Sequence, residues 1–373
     1  MNFKTDQLIF TPEDLNRSKS PLRHLGEATY ILGTFNPGMN KLPNGNLILM
    51  VRVAEGLKEI IKGDKARQIR WTSSGYRLDE FPKSEMDMSD PRKFKFKNYS
   101  HADTYLLTSL SWLLPIELTP DGLEIVKVHY EKVIEPRATY QEYGVEDARI
   151  SLINGVYYMT TCSVSAQRHS TTLYTSRNGL DYDLEGIVLD HQNKDMLYFE
   201  GKIADKFYAL TRPLGSLYFN YAQESEYLPG PSINLAASPD GLHWKPTDHP
   251  FLRPQKGTSS NEKIGGGAQP ILTPEGWLVL YHGVEQTKNV GIYRTFWALL
   301  DKNNPHKILK LKDAEPLLEA RAEFRKGLED KIYVNNVVFT TGIVANGTNY
   351  IVASGELDLC CRITHIPKQT FES

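Results

Sequence analysis

The chain has 373 residues, with 43 Lys and Arg against 45 Asp and Glu, a net charge of −2 and 40% hydrophobic residues. That balance excludes the one-signed basic surface of a nucleic-acid binder, and no apolar run approaches a membrane span. Three cysteines, Cys162, Cys360 and Cys361, give neither a disulfide framework nor a zinc spacing. The opening MNFKTDQLIF has no apolar leader core, so a cytoplasmic location is expected, or a periplasmic one if a leader has been trimmed away.

Short runs of β-branched and aromatic residues alternate with turn residues, including 27 Gly and 21 Pro, which predicts an all-β protein. In chain order, Asn44-Gly45 leads into NLILMVR, ending at Arg52. Arg52–Lys62 has helix-like composition and predicts a short helix. The segment from Ile60 to Ser100 fits no strand pattern. It predicts a long loop that walls a pocket or meets a second copy of the chain. Its basic stretch Arg92–Lys97 reads as solvated. Asn154-Gly155 then leads into VYYMTTC, ending at Cys162. Ala204-Asp205 leads into KFYALTR, ending at Arg212. Glu275-Gly276 leads into WLVLYHG, with His282 near its end. Pro316–Gly327 predicts a second short helix. Asn346-Gly347 leads into TNYIVAS, with Glu356 and Asp358 just beyond.

Each turn stands about one strand length before its polar terminus. Five such copies predict a single five-bladed β-propeller over residues 1–373. Equivalent strand ends would then converge at one mouth of the axis. Arg52, Arg212, His282 and Asp358 are expected to meet there, forming a central-axis active site.

The sharpest local feature is GVEDARIS, Gly144 to Ser151. In an extended segment Glu146 and Asp147 point to opposite faces, so one acid can face the axis. An acid so placed suits protonation of a departing glycosidic oxygen; the plainer reading is an ion pair between Asp147 and Arg149.

GVEDARI resembles the EDPR-type motif of glycoside hydrolase family 130, the β-mannoside phosphorylases and β-mannosidases. FNPGMNKLPNGNLILMVRVAEG resembles that family's first blade, and KIADKFYALTRP its KINGKY…HRP segment. NEKIGGGAQPILTPEGWLVLYHGV is similar to its KIGAG…YHGV segment, the most specific match. YRTFWALLDKNNPHKIL and VVFTTGIVANGTNYIVASGELDL resemble the segments that follow. The resemblance spans roughly residues 30–365 and rests on the ordered set of motifs. It implies an inverting enzyme that cleaves β-mannosidic bonds of small oligosaccharides, with Asp147 as proton donor. Asn36, Arg52, Arg149 and Asp358 would hold the sugar. Arg212, Lys263, His282 and Tyr293 would lie on the side where phosphate enters. No metal or organic cofactor is implied; inorganic phosphate is the co-substrate of the phosphorylases.

Two departures bear on the reaction. Pro213 to Trp244 contains no Arg or Lys, where the phosphorylases carry a second arginine, and Ala236-Ala237 precede Ser238-Pro239-Asp240. The same stretch gains Glu224 and Glu226. Fewer cations and more acids favour water over phosphate, so Glu224, Glu226 and Glu262 are candidate bases, with Glu200 behind them. Hydrolysis is therefore the expectation, with phosphorolysis to mannose 1-phosphate as the alternative. SGELDL in the last repeat adds Glu356 as a further acid near the mouth. The Ser238–Trp244 turn resembles the Asp-box of sialidases and reads as a folding corner. An arabinanase-type glycosidase, a non-catalytic sugar-binding propeller and a protein-interaction propeller are the competing classes.

Overall fold

A computed structural model describes residues 3–98, 103–214, 230–246, 250–287 and 290–372. The protein is built almost wholly of antiparallel strands joined by turns and short 3₁₀ segments. The strands fall into five main groups. The first holds Thr29–Lys41, Leu47–Leu57 and Ser109–Leu118. The second holds Gly144–Ile153, Val156–Val164, His169–Ser176 and Asp183–Leu189. The third runs from Asn193–Tyr198 through Phe207–Pro213 to Asn234–Ser238 and Lys245–Pro246. The fourth is centred on Trp277–Glu285 and Ile292–Leu300. The fifth holds Val338–Asn346, Asn349–Glu356 and Cys360–Pro367, completed by the N-terminal strand Asp6–Phe10.

The five repeated turns of the sequence each precede the second strand of one group. Each carries left-handed backbone: Gly45 at φ 90°, Gly155 at 76°, Asp205 at 59°, Gly276 at 155° and Gly347 at 54°. Such positions suit Gly, Asn and Asp, which is why these residues flag the repeat.

Groups five, one and two merge into one twelve-stranded sheet through single parallel pairs, Met39 with Gly342 and Ser111 with Gly144. A Cβ on Gly144 would stand 2.7 Å from the Ser111 nitrogen, so this junction requires glycine. The strand Leu47–Leu57 is buried along almost its whole length, because strands flank it on both edges and side chains cover both faces. Val51, Val53, Leu110, Trp112, Leu114, Ile351 and Ile363 pack into one core between groups one and five. Each such burial is worth about 1.5–3 kcal/mol.

Three sequence expectations are corrected. Arg52–Lys62 is not a helix; its first half continues the strand, with Arg52 paired to Phe35 on one side and Leu113 on the other. Pairing on both edges outweighs the helix-forming composition of RVAEGLKEI. Pro316–Gly327 contains only the single 3₁₀ turn Ala322–Arg325. The segment from Ile60 to Ser100 is not a structureless loop. Ile61–Lys62, Lys65–Thr72 and Gly75–Pro82 form one small sheet. Met86–Asp87, Lys93–Phe96 and Tyr105–Leu107 form another. Ala66, Met86, Phe94, Phe96 and Leu106 make its own small core.

Candidate active site

All five strand groups and the insertion lend side chains to one cavity of about 380 Å³. Asn36 and Arg52 come from the first group, Glu146 and Asp147 from the second, and Lys194 and Arg212 from the third. Lys263 and Tyr293 come from the fourth, Phe339 and Asp358 from the fifth, and Arg92 and Lys93 from the insertion.

The local backbone explains how they converge. The first strands of groups one, two and three each lose register at the same functional step, between Phe35 and Gly38, Glu146 and Arg149, and Lys194 and Leu197. A bulge re-aims the side chains that a regular pleat would alternate. Asn36 (φ 50°), Asp147 (52°), Asp195 (55°) and Asp358 (51°) sit in the left-handed region. This costs of order 1 kcal/mol each and persists where the surroundings enforce it. Gly355 leaves room for Asn36: a Cβ there would stand 2.2 Å from Asn36 Oδ1.

Asp147 is held on three sides. Asn36 Nδ2 and Arg52 Nη1 each donate to its Oδ1 at 2.9 Å, and Lys194 Nζ lies 3.2 Å from Oδ2. Glu146 shares the same cations, with Arg52 Nη2 at 2.8 Å and Lys194 Nζ at 3.2 Å. Burial works against ionisation of Asp147, but Arg52, Lys194, Arg149 and the Asn36 amide outweigh it. Together they hold the carboxyl well below its usual range. Asp358 goes the other way: burial pushes it up, only partly offset by Arg52.

Beneath the cavity lies a second layer. Arg149, 1% exposed, donates to the Asp147 carbonyl at 2.8 Å, to the Gly267 carbonyl at 3.0 Å and to Asp195 Oδ1 at 3.2 Å. Its guanidinium braces the floor and does not line the cavity. Arg212 Nε lies 3.1 Å from Asp195 Oδ2, an ion pair off the line of a hydrogen bond. Arg212 Nη1 lies 3.1 Å from His282 Nε2. Burial, then Arg212, Arg149 and Lys263, push His282 well below its ordinary pKa, against the pull of Asp195. The ring is therefore neutral. Because a guanidinium only donates, Nε2 is the acceptor and the proton sits on Nδ1. His282 thus orients Arg212 rather than adding charge.

On the open side, Lys263 Nζ stands 5.2 Å above the Tyr293 ring and 3.6 Å from Glu262. Lys93 Nζ stands 4.0 Å above the Tyr105 ring. Arg92 is forked onto Asp90 at 2.9 and 3.1 Å. Six cations (Arg52, Arg92, Lys93, Lys194, Arg212 and Lys263) face three carboxylates, Glu146, Asp147 and Asp358. The cavity is suited to a sugar beside an anion.

Several expected residues lie elsewhere. Arg92 and Lys93 are not a solvated loop but cavity wall. Glu262 is a third exposed and stands outside the lining. Glu200 accepts from Asn40 Nδ2 and the Leu152 amide, away from the cavity. Glu356 is not at the mouth; Arg362 and the Arg321 amide hold it. Glu224 and Glu226 lie outside the described residues. Asp240 takes the Leu242 and His243 amides in a folding corner. Sequence reasoning missed Lys194, Asp195, Arg92, Lys93 and Tyr333. The signal for the first two was available: Lys194-Asp195 open the third group as Glu146-Asp147 open the second.

Residues 104–371 match the family model described as β-1,4-mannooligosaccharide phosphorylase. The chain belongs to glycoside hydrolase family 130. It is a glycoside-cleaving enzyme of that family. A β-1,2-mannobiose phosphorylase of Listeria innocua is 30% identical over 360 residues, covering 94% of this chain and 91% of the relative. A 1,2-β-oligomannan phosphorylase of Thermoanaerobacter is 32% identical over 64% of this chain and 73% of its own length. The solved Listeria innocua β-1,2-mannobiose phosphorylase, in complex with β-1,2-mannobiose, superposes with a TM-score of 0.80 at 28% identity. That match covers 98% of this chain and 96% of the other. These relatives favour the phosphorolytic alternative over the hydrolysis expected from the acidic stretch.

Proposed function

We propose that this enzyme is an inverting phosphorylase of short β-mannosides, releasing mannose 1-phosphate. One observation carries the reading: six cations line the cavity against three carboxylates, an excess that suits an anion bound beside a sugar. An inverting hydrolase needs a second acid across the sugar. Glu146 is the chain neighbour of Asp147 and shares its cations, so it sits with the acid rather than across from it. The five strand groups meeting at one cavity also support a five-bladed propeller with its site on the axis.

In this reading Asn36, Arg52 and Asp358 hold the mannosyl unit. Arg212, steadied by His282, works with Lys263 and Lys93 to hold phosphate. A phosphate oxygen forms the new bond to the anomeric carbon as the glycosidic bond breaks. The departing oxygen takes a proton from Asp147, directly or through a sugar hydroxyl. The proton of hydrogen phosphate then restores Asp147. Arg52 and Lys194 favour the ionised form of Asp147, so the acid must gain its proton once substrate and phosphate are bound. An incoming phosphate supplies the condition, because its negative charge offsets the field of Arg52 and Lys194.

The test is product release from β-1,2-mannobiose with and without inorganic phosphate. Mannose 1-phosphate that forms only with phosphate is the expected result. Free mannose at the same rate in both would return the hydrolytic reading and direct the search for a base to Glu224, Glu226 and Glu262.

A further inference from the structure

Of the three carboxylates that line the reaction cavity, Asp147 and Asp358 have a task in the reaction above and Glu146 has none. Glu146 stands next to the acid in the chain, and a regular strand would send the two side chains to opposite faces. The strand Gly144–Ile153 is not regular there. Its register with Val156–Val164 is lost between Glu146 and Arg149, and Asp147 is left-handed at φ 52°. Both carboxylates therefore reach the same two cations.

The division is nearly even. Arg52 donates from Nη1 to Asp147 at 2.9 Å and from Nη2 to Glu146 at 2.8 Å. Lys194 Nζ lies 3.2 Å from Asp147 Oδ2 and 3.2 Å from Glu146 Oε2. Two cations thus serve two acids; without Glu146 both would serve Asp147 alone. A carboxylate held by two undivided cations keeps its negative charge and is a poor carrier of a proton. The acid of a glycosidic cleavage has to carry one.

The other charged and titratable groups around the pair leave this division in place. Arg149 bonds the Asp147 carbonyl from below and has Asp195 as its own partner. Asp358 faces Arg52 from the last group, and burial pushes it up. Burial, then Lys194, push His169 below its ordinary range against the pull of Glu146, so it adds no charge at neutral pH. Cys162 pairs with Glu146 in the next strand, and burial pushes its thiol up, which keeps it neutral. Glu146 is itself ionised: burial works against this, but Arg52 and Lys194 outweigh it.

We propose that Glu146 is a positioning residue that acts through Arg52 and Lys194. By taking one contact of each cation, it leaves Asp147 able to hold the proton that passes to the departing glycosidic oxygen. The inference rests on Asp147 as the proton donor, and it holds whether phosphate or water attacks.

The experiment follows kcat per folded molecule from about pH 5.5 to about 8.5 at saturating β-1,2-mannobiose and phosphate. Mannose and mannose 1-phosphate are counted together. Glu146→Gln, Lys194→Met and the two combined are compared with wild type; the ionisation of phosphate is common to all and cancels. Glu146→Gln should move the alkaline limb, where the acid loses its proton, down by roughly one pH unit. On that limb kcat falls about tenfold, and the loss shrinks as pH falls. Lys194→Met should move the limb up, and the combined variant should return it towards wild type, because one cation then serves one acid. An unmoved limb in Glu146→Gln, or a loss equal at every pH, would overturn the proposal by making Glu146 a structural residue. A combined variant no nearer to wild type than Glu146→Gln would also overturn it. Full turnover in Asp147→Asn would remove the donor reading and this proposal with it. A crippled Asp147→Asn beside an unmoved limb in Glu146→Gln would remove the proposal alone.

Discussion

Two clusters in this chain are made of the same ingredients, buried carboxylates clasped by arginine, and they do different work. Around Asp147, Arg52 and Lys194 serve two acids at the edge of an open cavity. Around Arg362, Asp6 accepts at 2.7 and 2.8 Å and Glu356 at 3.0 Å, with all three side chains almost fully enclosed. The second cluster pins the N-terminal strand Asp6–Phe10 onto Cys360–Pro367. Charge alone does not separate them. Backbone does: Asn36, Asp147, Asp195 and Asp358 are left-handed, whereas Asp6, Glu356 and Arg362 are not. The strained cluster faces a cavity and the relaxed one faces only protein. Strain with an open face marks the working site.

That contrast is open to test. Asp147→Asn should lower kcat per folded molecule by about 10²–10⁴-fold, the usual scale for a lost proton donor. Turnover rates across phosphate concentrations, read beside a denaturant curve, check this. Arg362→Met should behave in the opposite way. Removing one partner of a buried ion cluster costs about 3–5 kcal/mol, so the chemical denaturation midpoint falls while activity per folded molecule holds.

Glu356 sharpens the comparison through pH. Burial, partly offset by Arg362, pushes its carboxyl up to about 7, from an ordinary 4.5. A raised folded value means that its contribution to stability is complete below about 4.5. It is lost as pH rises through about 7. Glu356→Gln removes that loss. Its stability relative to wild type should therefore improve between pH 5 and 8, by at most about 3 kcal/mol, measured by urea unfolding at both values. A difference that shrinks with rising pH would show Glu356 to be an ordinary ion-pair partner. The smallest effect is expected at Lys93→Gln. About a tenfold rise in the KM for phosphate, with the KM for the glycoside unchanged, would fit loss of one charge-assisted contact. An unchanged phosphate KM would return the insertion's basic stretch to the solvent-facing role that its composition suggested.

Much of this was legible in the chain because turns need particular residues. The Asn-Gly, Ala-Asp and Glu-Gly positions marked the second strand of every group, including the run NLILMVR. Asp147, Arg52 and Arg212 were legible from the ordered motifs. Other features were not. The helix expected at Arg52–Lys62 failed because pairing at both strand edges is a tertiary fact. The insertion looked irregular because its strands are only two to eight residues long, too short for alternation to show. Glu356 read as a site acid because a separation of two residues from Asp358 says nothing about which face of the last group it takes. Lys194 and Asp195 were passed over because an adjacent Lys-Asp pair is common on surfaces; only the bulge that opens the third group turns them inward.

The most direct test of the central claim is the fate of the anomeric oxygen. The enzyme is supplied with β-1,2-mannobiose and inorganic phosphate in heavy-oxygen water, and the released sugars are examined by mass spectrometry. Phosphorolysis predicts mannose 1-phosphate with no heavy oxygen at the anomeric carbon, because that atom comes from phosphate. Free mannose carrying heavy oxygen at that position at first release, with no sugar phosphate, would contradict the account and make the cation-lined cavity a hydrolase site.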